Sequence, residues 1–70
     1  MNEVKSNDVK KGTVLRLTGG REAEMYDNMR GGLRMVRVLG VNGYFDEIGS
    51  VYVSEILYAK VADDWYRVVR

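Results

Sequence analysis

The chain has 70 residues, 46% of them apolar and 30% charged, which suffices for one small folded domain and leaves no room for a second. It contains no cysteine and no histidine, so disulfide frameworks, thiolate metal sites and imidazole chemistry are excluded. The net charge of +1 argues against a dedicated polyanion binder, although residues 1–37 hold eight Lys or Arg against five Asp or Glu and residues 38–70 hold three against five, which permits a mildly basic face.

Residues 1–10, MNEVKSNDVK, mix polar and charged types with isolated valines and read as an N-terminal tail or a loosely docked segment. They lack the apolar run of a signal peptide, and no stretch of the chain is long and apolar enough to cross a bilayer, so the expectation is a soluble cytoplasmic protein with no membrane partner. Order is expected to begin near Lys11 and Gly12, and residues 11–70 to form the single domain. From there, runs rich in Val, Leu, Ile and Tyr alternate with turn residues at short intervals, the pattern of a small antiparallel all-β protein. Strands are predicted over 13–18, 22–28, 33–39, 48–53, 57–61 and 65–69, with one short helical turn near 54–56.

The first hairpin turns at "TGG", residues 18–20, with Gly20 left-handed, and this pairs Leu15 with Ala23 and Arg16 with Glu22. A loop over 29–32 then pairs Ala23 with Val38, Met25 with Val36, Glu24 with Arg37 and Asp27 with Arg34, Gly31 and Gly32 supplying the positive φ of a tight connection. Apolar and opposite-charge pairs emerge from one register, and each stabilises a sheet by roughly 0.2 to 1 kcal/mol. Arg16, Arg34 and Arg37 would then each face a carboxylate. The Arg-Gly-Gly of "DNMRGGLRMVRV" accordingly reads as a turn rather than an RNA-binding arm, which leaves Lys10, Lys11, Arg21 and Arg30 as the uncommitted cations.

Alternation places Leu15, Leu17, Ala23, Met25, Val36, Val38, Val51 and Val53 on the core side. On the other side Tyr26 faces Met35, with Tyr52 beside Met35 and Arg37 flanking: an amphipathic row that binds proteins or stacks bases, or that the tail, the last strand or a second copy covers. The long connection "GVNGYFDEIG" carries Tyr44 and Phe45 at its tip, either a binding tip or a plug over the open end of a barrel. Asp63 and Asp64 mark a turn, and Trp65 reads mainly as core or barrel-end packing, with an exposed anchor as the alternative. The acidic pairs Asp46 with Glu47 and Asp63 with Asp64 have no cleft to work in, and "GVNG" lacks the spacing of a phosphate loop, so neither catalysis nor a cofactor or metal is expected.

The order of these elements, with "GSVYVSEI" leading from a strand through a helical turn into the next strand, resembles the SH3-like small β-barrels over residues 11–61. "KGTVLRLTGGREAEMYDN" also looks like the opening of KOW-type barrels of transcription and ribosome-associated proteins. Neither the ALYDY-like segment nor the tryptophan pair of the signalling SH3 domains is present, so their binding of proline-rich peptides does not carry over. "DNMRGGLR", "VLG" and "EIGSVYVSEI" are similar to small single-domain proteins of tailed phages through Asp27, Asn28, Arg30, Gly31, Arg34, Gly49, Ser50, Tyr52 and Ile56, which implies a phage context in which small proteins bind and alter a host protein.

The expectation is therefore an SH3-like barrel of five or six antiparallel strands acting as a protein-binding module through Tyr26, Met35, Tyr52, Tyr44 and Phe45. Weak, sequence-tolerant nucleic-acid binding through Lys10, Lys11, Arg21, Arg30 and Arg37 is the alternative, and a homo-oligomer or virion component a third.

Overall fold

A computed structural model describes residues 2–28, 31–40 and 43–70 and forms one seven-stranded mixed sheet. The strands are β1 (Glu3–Lys5), β2 (Val14–Leu17), β3 (Glu22–Asp27), β4 (Leu33–Leu39), β5 (Phe45–Tyr52), β6 (Ile56–Val61) and β7 (Asp64–Val69), in the spatial order β1-β7-β6-β2-β3-β4-β5. Single 3-10 turns cover Ser6–Asp8, Thr18–Gly20 and Val53–Glu55. All neighbours run antiparallel except β1 and β7, which are parallel.

The fold is all-β as expected, but it has seven strands rather than five or six, one pair is parallel, and no hydrogen bonds join the two edge strands β1 and β5 into a closed barrel. The extra strand comes from residues 1–10. Glu3, Val4 and Lys5 pair with Arg67, Val68 and Val69, the following turn buries Ser6, and Val9 enters the core. Three residues with one valine carry too little pattern to read as a strand; β7 supplies the missing template.

Leu15, Leu17, Ala23, Met25, Val36, Val51, Ile56, Ala59 and Val9 form the buried core, with Val4, Val38 and Val68 packed against it. No helical layer covers this face, so the sheet curls over its own inner side to bring Leu15, Leu17 and Ala23 to complete burial. Burying these side chains supplies the main driving force, about 1.5–3 kcal/mol for each large one. Val53, expected in the core, is only half-buried because it opens the 3-10 turn after β5 instead of continuing the strand. That turn sits one residue earlier than its sequence signal, and β5 starts at Phe45 rather than Ile48, absorbing much of the expected loop.

The first hairpin has the expected register, Leu15 against Ala23 and Arg16 against Glu22, with both Gly19 and Gly20 at φ 80 in the turn. In the second, Ala23, Glu24 and Met25 face Val38, Arg37 and Val36 as expected, after which the register shifts and Asp27 faces Met35. Tyr26 is the additional residue at this irregularity, so neither the Asp27 to Arg34 pair nor the Tyr26 to Met35 pair forms. Gly31 takes φ +118, whereas Gly32 is not left-handed. β6 and β7 are joined by Ala62 (φ 50) and Asp63 (φ 67), so the turn lies one residue before the expected Asp63 and Asp64, with Asp64 already paired to Val61. Two left-handed residues between antiparallel strands match the twist of the hairpin they connect.

Candidate functional site

Alternation along β4 puts Arg34 on the inward face with Val36 and Val38, and the slip after Met25 removes Asp27 as its partner. Its side chain turns to the inner side and is 2% exposed. The guanidinium donates to the carbonyls of Gly31 and Leu33 and to Asn7 Oδ1 at 2.8 Å, with no carboxylate within ion-pair range among the described residues. Directly after β3, Asn28 Nδ2 donates to the carbonyls of Ser6 at 2.8 Å and Val9 at 2.9 Å. These two polar side chains of the β3 to β4 hairpin thus fasten the Ser6–Asp8 turn against the rest of the sheet. Arg34 and Asn28 act as structural ties, and Arg34 contributes nothing to a basic surface.

The outer side of β4 and β5 gathers several exposed apolar side chains, Leu33, Leu39, Ile48 and Tyr52 among them. Leu33, Met35, Arg37 and Leu39 alternate outward on β4, opposite inward Arg34, Val36 and Val38. Their partners on β5 are Tyr52, Ser50, Ile48 and Phe45 in that order. Leu33 is 43% exposed, Ile48 49% and Tyr52 63%, while Met35 and Phe45 are half-buried. The expected row of Tyr26, Met35 and Tyr52 is therefore not one row: Met35 faces Ser50, Tyr52 faces Leu33, and Tyr26 stands at the irregularity in β3. Tyr44, just before β5, is 70% exposed, which places it outside the barrel-plug role. Leu33 and Ile48 open the expected strands 33–39 and 48–53 but stand outside the expected binding row; the alternation of 48, 50 and 52 on one face carries the signal that adds them.

Further across the same side, cations cap the aromatic rings. Lys11 Nζ lies 5.1 Å and Arg37 Cζ 4.8 Å from the centre of the Tyr26 ring. Arg16 Cζ lies 4.7 Å and Lys60 Nζ 5.9 Å from the Trp65 ring, so Trp65 is a half-buried surface partner of cations rather than a core residue. Such contacts stabilise by about 0.5–1 kcal/mol at exposed sites. Ion pairs neutralise part of this face: Arg16 with Glu22 at 3.1 Å and Arg67 with Glu3. Arg21, expected to be uncommitted, pairs with Glu55 at 3.3 Å. Lys10 and Lys11, with Thr13, Lys60 and Asp63, line a shallow depression of about 450 Å³. Arg30, named with the cations, lies outside the described residues.

Among the described residues no three His, Cys, Asp or Glu side chains converge as metal ligands would, and no helix is long and apolar enough to cross a membrane. Compared with protein-family models, curated proteins and solved structures, the chain matches none.

Proposed function

We propose that this chain is a non-catalytic binding module that docks a protein partner through the outer side of β4 and β5. The observation that carries the reading is the exposed stripe of Leu33, Ile48 and Tyr52, with Met35 between them, on a hairpin at the edge of the sheet. Exposed apolar residues scattered singly need no explanation, whereas a contiguous row marks a contact surface. Aromatic and methionine side chains at its centre are the types that interfaces favour, and Arg37 gives it a polar rim.

The fold reading that accompanies this is an SH3-like plan. The order β6-β2-β3-β4-β5, with a 3-10 turn leading from β5 into β6, supports it, and β7 and β1 extend the sheet beyond it. The likeness of "DNMRGGLR" and "EIGSVYVSEI" to small phage proteins makes a host cytoplasmic protein the first partner class to screen.

A second reading, sequence-tolerant nucleic-acid binding, draws on the cations over Tyr26 and Trp65 and on the lysines of the shallow depression. It ranks second because those rings already carry the protein's own cations, which bases would have to displace. One experiment separates the two. Leu33→Ser with Tyr52→Ser, both at exposed positions, should abolish partner capture and leave folding intact; Arg37→Glu with Lys60→Glu should abolish nucleic-acid binding at low salt. Partner capture unchanged by the first pair of substitutions would reject the docking surface.

A further inference from the structure

We infer that β5 is a self-complementary edge through which two copies of this chain pair antiparallel, with Ser50 opposite Ser50 of the second copy. The inference rests on reading the β4 and β5 hairpin as the contact surface and names a second copy as an occupant of its open edge.

The two edges of the sheet differ in how they are guarded. β1 is three residues long, carries Glu3 and Lys5, and holds Glu3 in an ion pair with Arg67. Short length and charge are the usual means by which proteins keep an edge from pairing with other chains. β5 has eight residues, and its segment 48–52, Ile-Gly-Ser-Val-Tyr, contains neither charge nor proline. The irregularity between β4 and β5 lies beyond this segment, at Val38 and Leu39, so 48–52 pairs with β4 without interruption. One edge is blunted and the other is a template.

The backbone phase shows which groups that template offers. Val53 N–H donates to the Gly32 carbonyl at 2.8 Å, and hydrogen-bonded and non-bonded pairs alternate along an antiparallel ladder. In this register Val51, Gly49 and Glu47 therefore turn their N–H and C=O groups toward β4, while those of Ile48, Ser50 and Tyr52 point away from the sheet. Glu55 Oε2 accepts the Tyr52 N–H at 2.8 Å. What remains at the edge is the N–H and carbonyl of both Ile48 and Ser50; the Tyr52 carbonyl already opens the Val53–Glu55 turn and has one lone pair to spare.

Side-chain chemistry then selects the register. Centring the pair on Glu47 sets like charges against each other, and centring it on Gly49 sets Ile48 against Ser50 instead of Tyr52. Centring it on Ser50 places Ile48 opposite Tyr52 twice and ends the paired segment at Tyr52, where β5 gives way to the Val53–Glu55 turn. An aliphatic residue opposite an aromatic one is a favourable cross-strand pair. The same register forms mutual Ser50 N–H to Ser50 carbonyl bonds and sets each Ile48 N–H against the second lone pair of the opposite Tyr52 carbonyl, while Tyr52 N–H keeps Glu55. The stripes of Leu33, Ile48 and Tyr52 from the two copies become one apolar band.

Sedimentation of the full chain from micromolar to millimolar concentration, with three single variants, tests this. The wild type should show a monomer-dimer equilibrium. Ser50→Lys, at an exposed position, should keep the wild-type circular dichroism and melting temperature yet weaken association at least tenfold by opposing two ammonium groups. Hydrogen-bonded residues across an antiparallel pair have Cα atoms about 5.5 Å apart, within the range a disulfide spans. Ser50→Cys should therefore cross-link under mild oxidation, and Ile48→Cys should not. A wild type that stays monomeric throughout, a Ser50→Lys variant that dimerises equally well, or faster cross-linking of Ile48→Cys would each overturn the inference. A monomeric wild type whose capture of another protein is still lost with Leu33→Ser and Tyr52→Ser would sink the self-pairing alone. A dimer that captures nothing would sink the docking of a separate partner alone.

Discussion

Replacing Asn28 by Asp probes the tie that holds the N-terminal segment without altering side-chain volume. Asn28 Nδ2 donates to two carbonyls, at 2.8 and 2.9 Å, both on residues that are buried. A carboxylate there loses two hydrogen bonds, about 2 kcal/mol together, and leaves two acceptors unsatisfied against a negative charge, about 1–3 kcal/mol more. The expected loss near neutral pH is about 3–5 kcal/mol, a large part of the roughly 4–10 kcal/mol available to a domain of this size. Each kcal/mol corresponds to about 4–8 °C in melting temperature for a small domain. Burial and the facing carbonyls raise the introduced carboxyl's folded pKa above its unfolded value of about 3.9. The deficit is therefore full above the folded pKa and shrinks as pH falls through it, because the protonated carboxyl regains a donor. Urea denaturation followed by fluorescence of the single tryptophan, Trp65, reads this directly. Asn28→Ala serves as the control: it should lose about 2 kcal/mol and add no new pH dependence. An Asn28→Asp variant within about 1 kcal/mol of wild type near neutral pH would refute the claim that this amide fastens residues 6–9.

Arg34→Ala should cost about 2–4 kcal/mol by emptying a buried site, and Arg34→Met should recover most of it, because the acceptors released on Gly31, Leu33 and Asn7 belong to exposed residues and can turn to water. Equal losses in urea unfolding for the two variants would instead assign the stabilisation to the guanidinium bonds. In the β6 to β7 turn, Ala62→Asn combined with Asp63→Gly relieves two left-handed positions and should raise stability by about 1 kcal/mol, visible as a higher melting temperature. Glu55→Ala should cost about 1 kcal/mol or less, mainly through the bond to Tyr52 N–H, since its ion pair with Arg21 is half-exposed and screened; a deficit that vanishes entirely in high salt would reverse that apportioning.

Much of the sheet was legible in the sequence because period-two alternation and turn glycines are local signals. Leu15 and Leu17, the "TGG" turn and the pairs Leu15 with Ala23 and Met25 with Val36 follow from them and stand in the structure. Composition excluded thiol and imidazole chemistry outright, since a side chain that is absent cannot act.

Tertiary structure decided the rest. The slip at Tyr26 sets Asp27 opposite Met35 and leaves Arg34, which shares the inward face of Val36, without its expected carboxylate; a one-residue bulge in β3 leaves no mark in the alternation of β4. β1 exists because β7 offers it a backbone ladder and Asn28 and Arg34 hold the turn that follows, contacts separated by many residues in the chain. The apolar stripe on β4 and β5 likewise depends on pairing Leu33 with Tyr52 and Arg37 with Ile48. The sequence by itself determines the faces of each strand, because alternation is a property of one extended backbone. Which strand lies beside which, and so which faces add up to a surface, is settled by hydrogen bonds between distant segments.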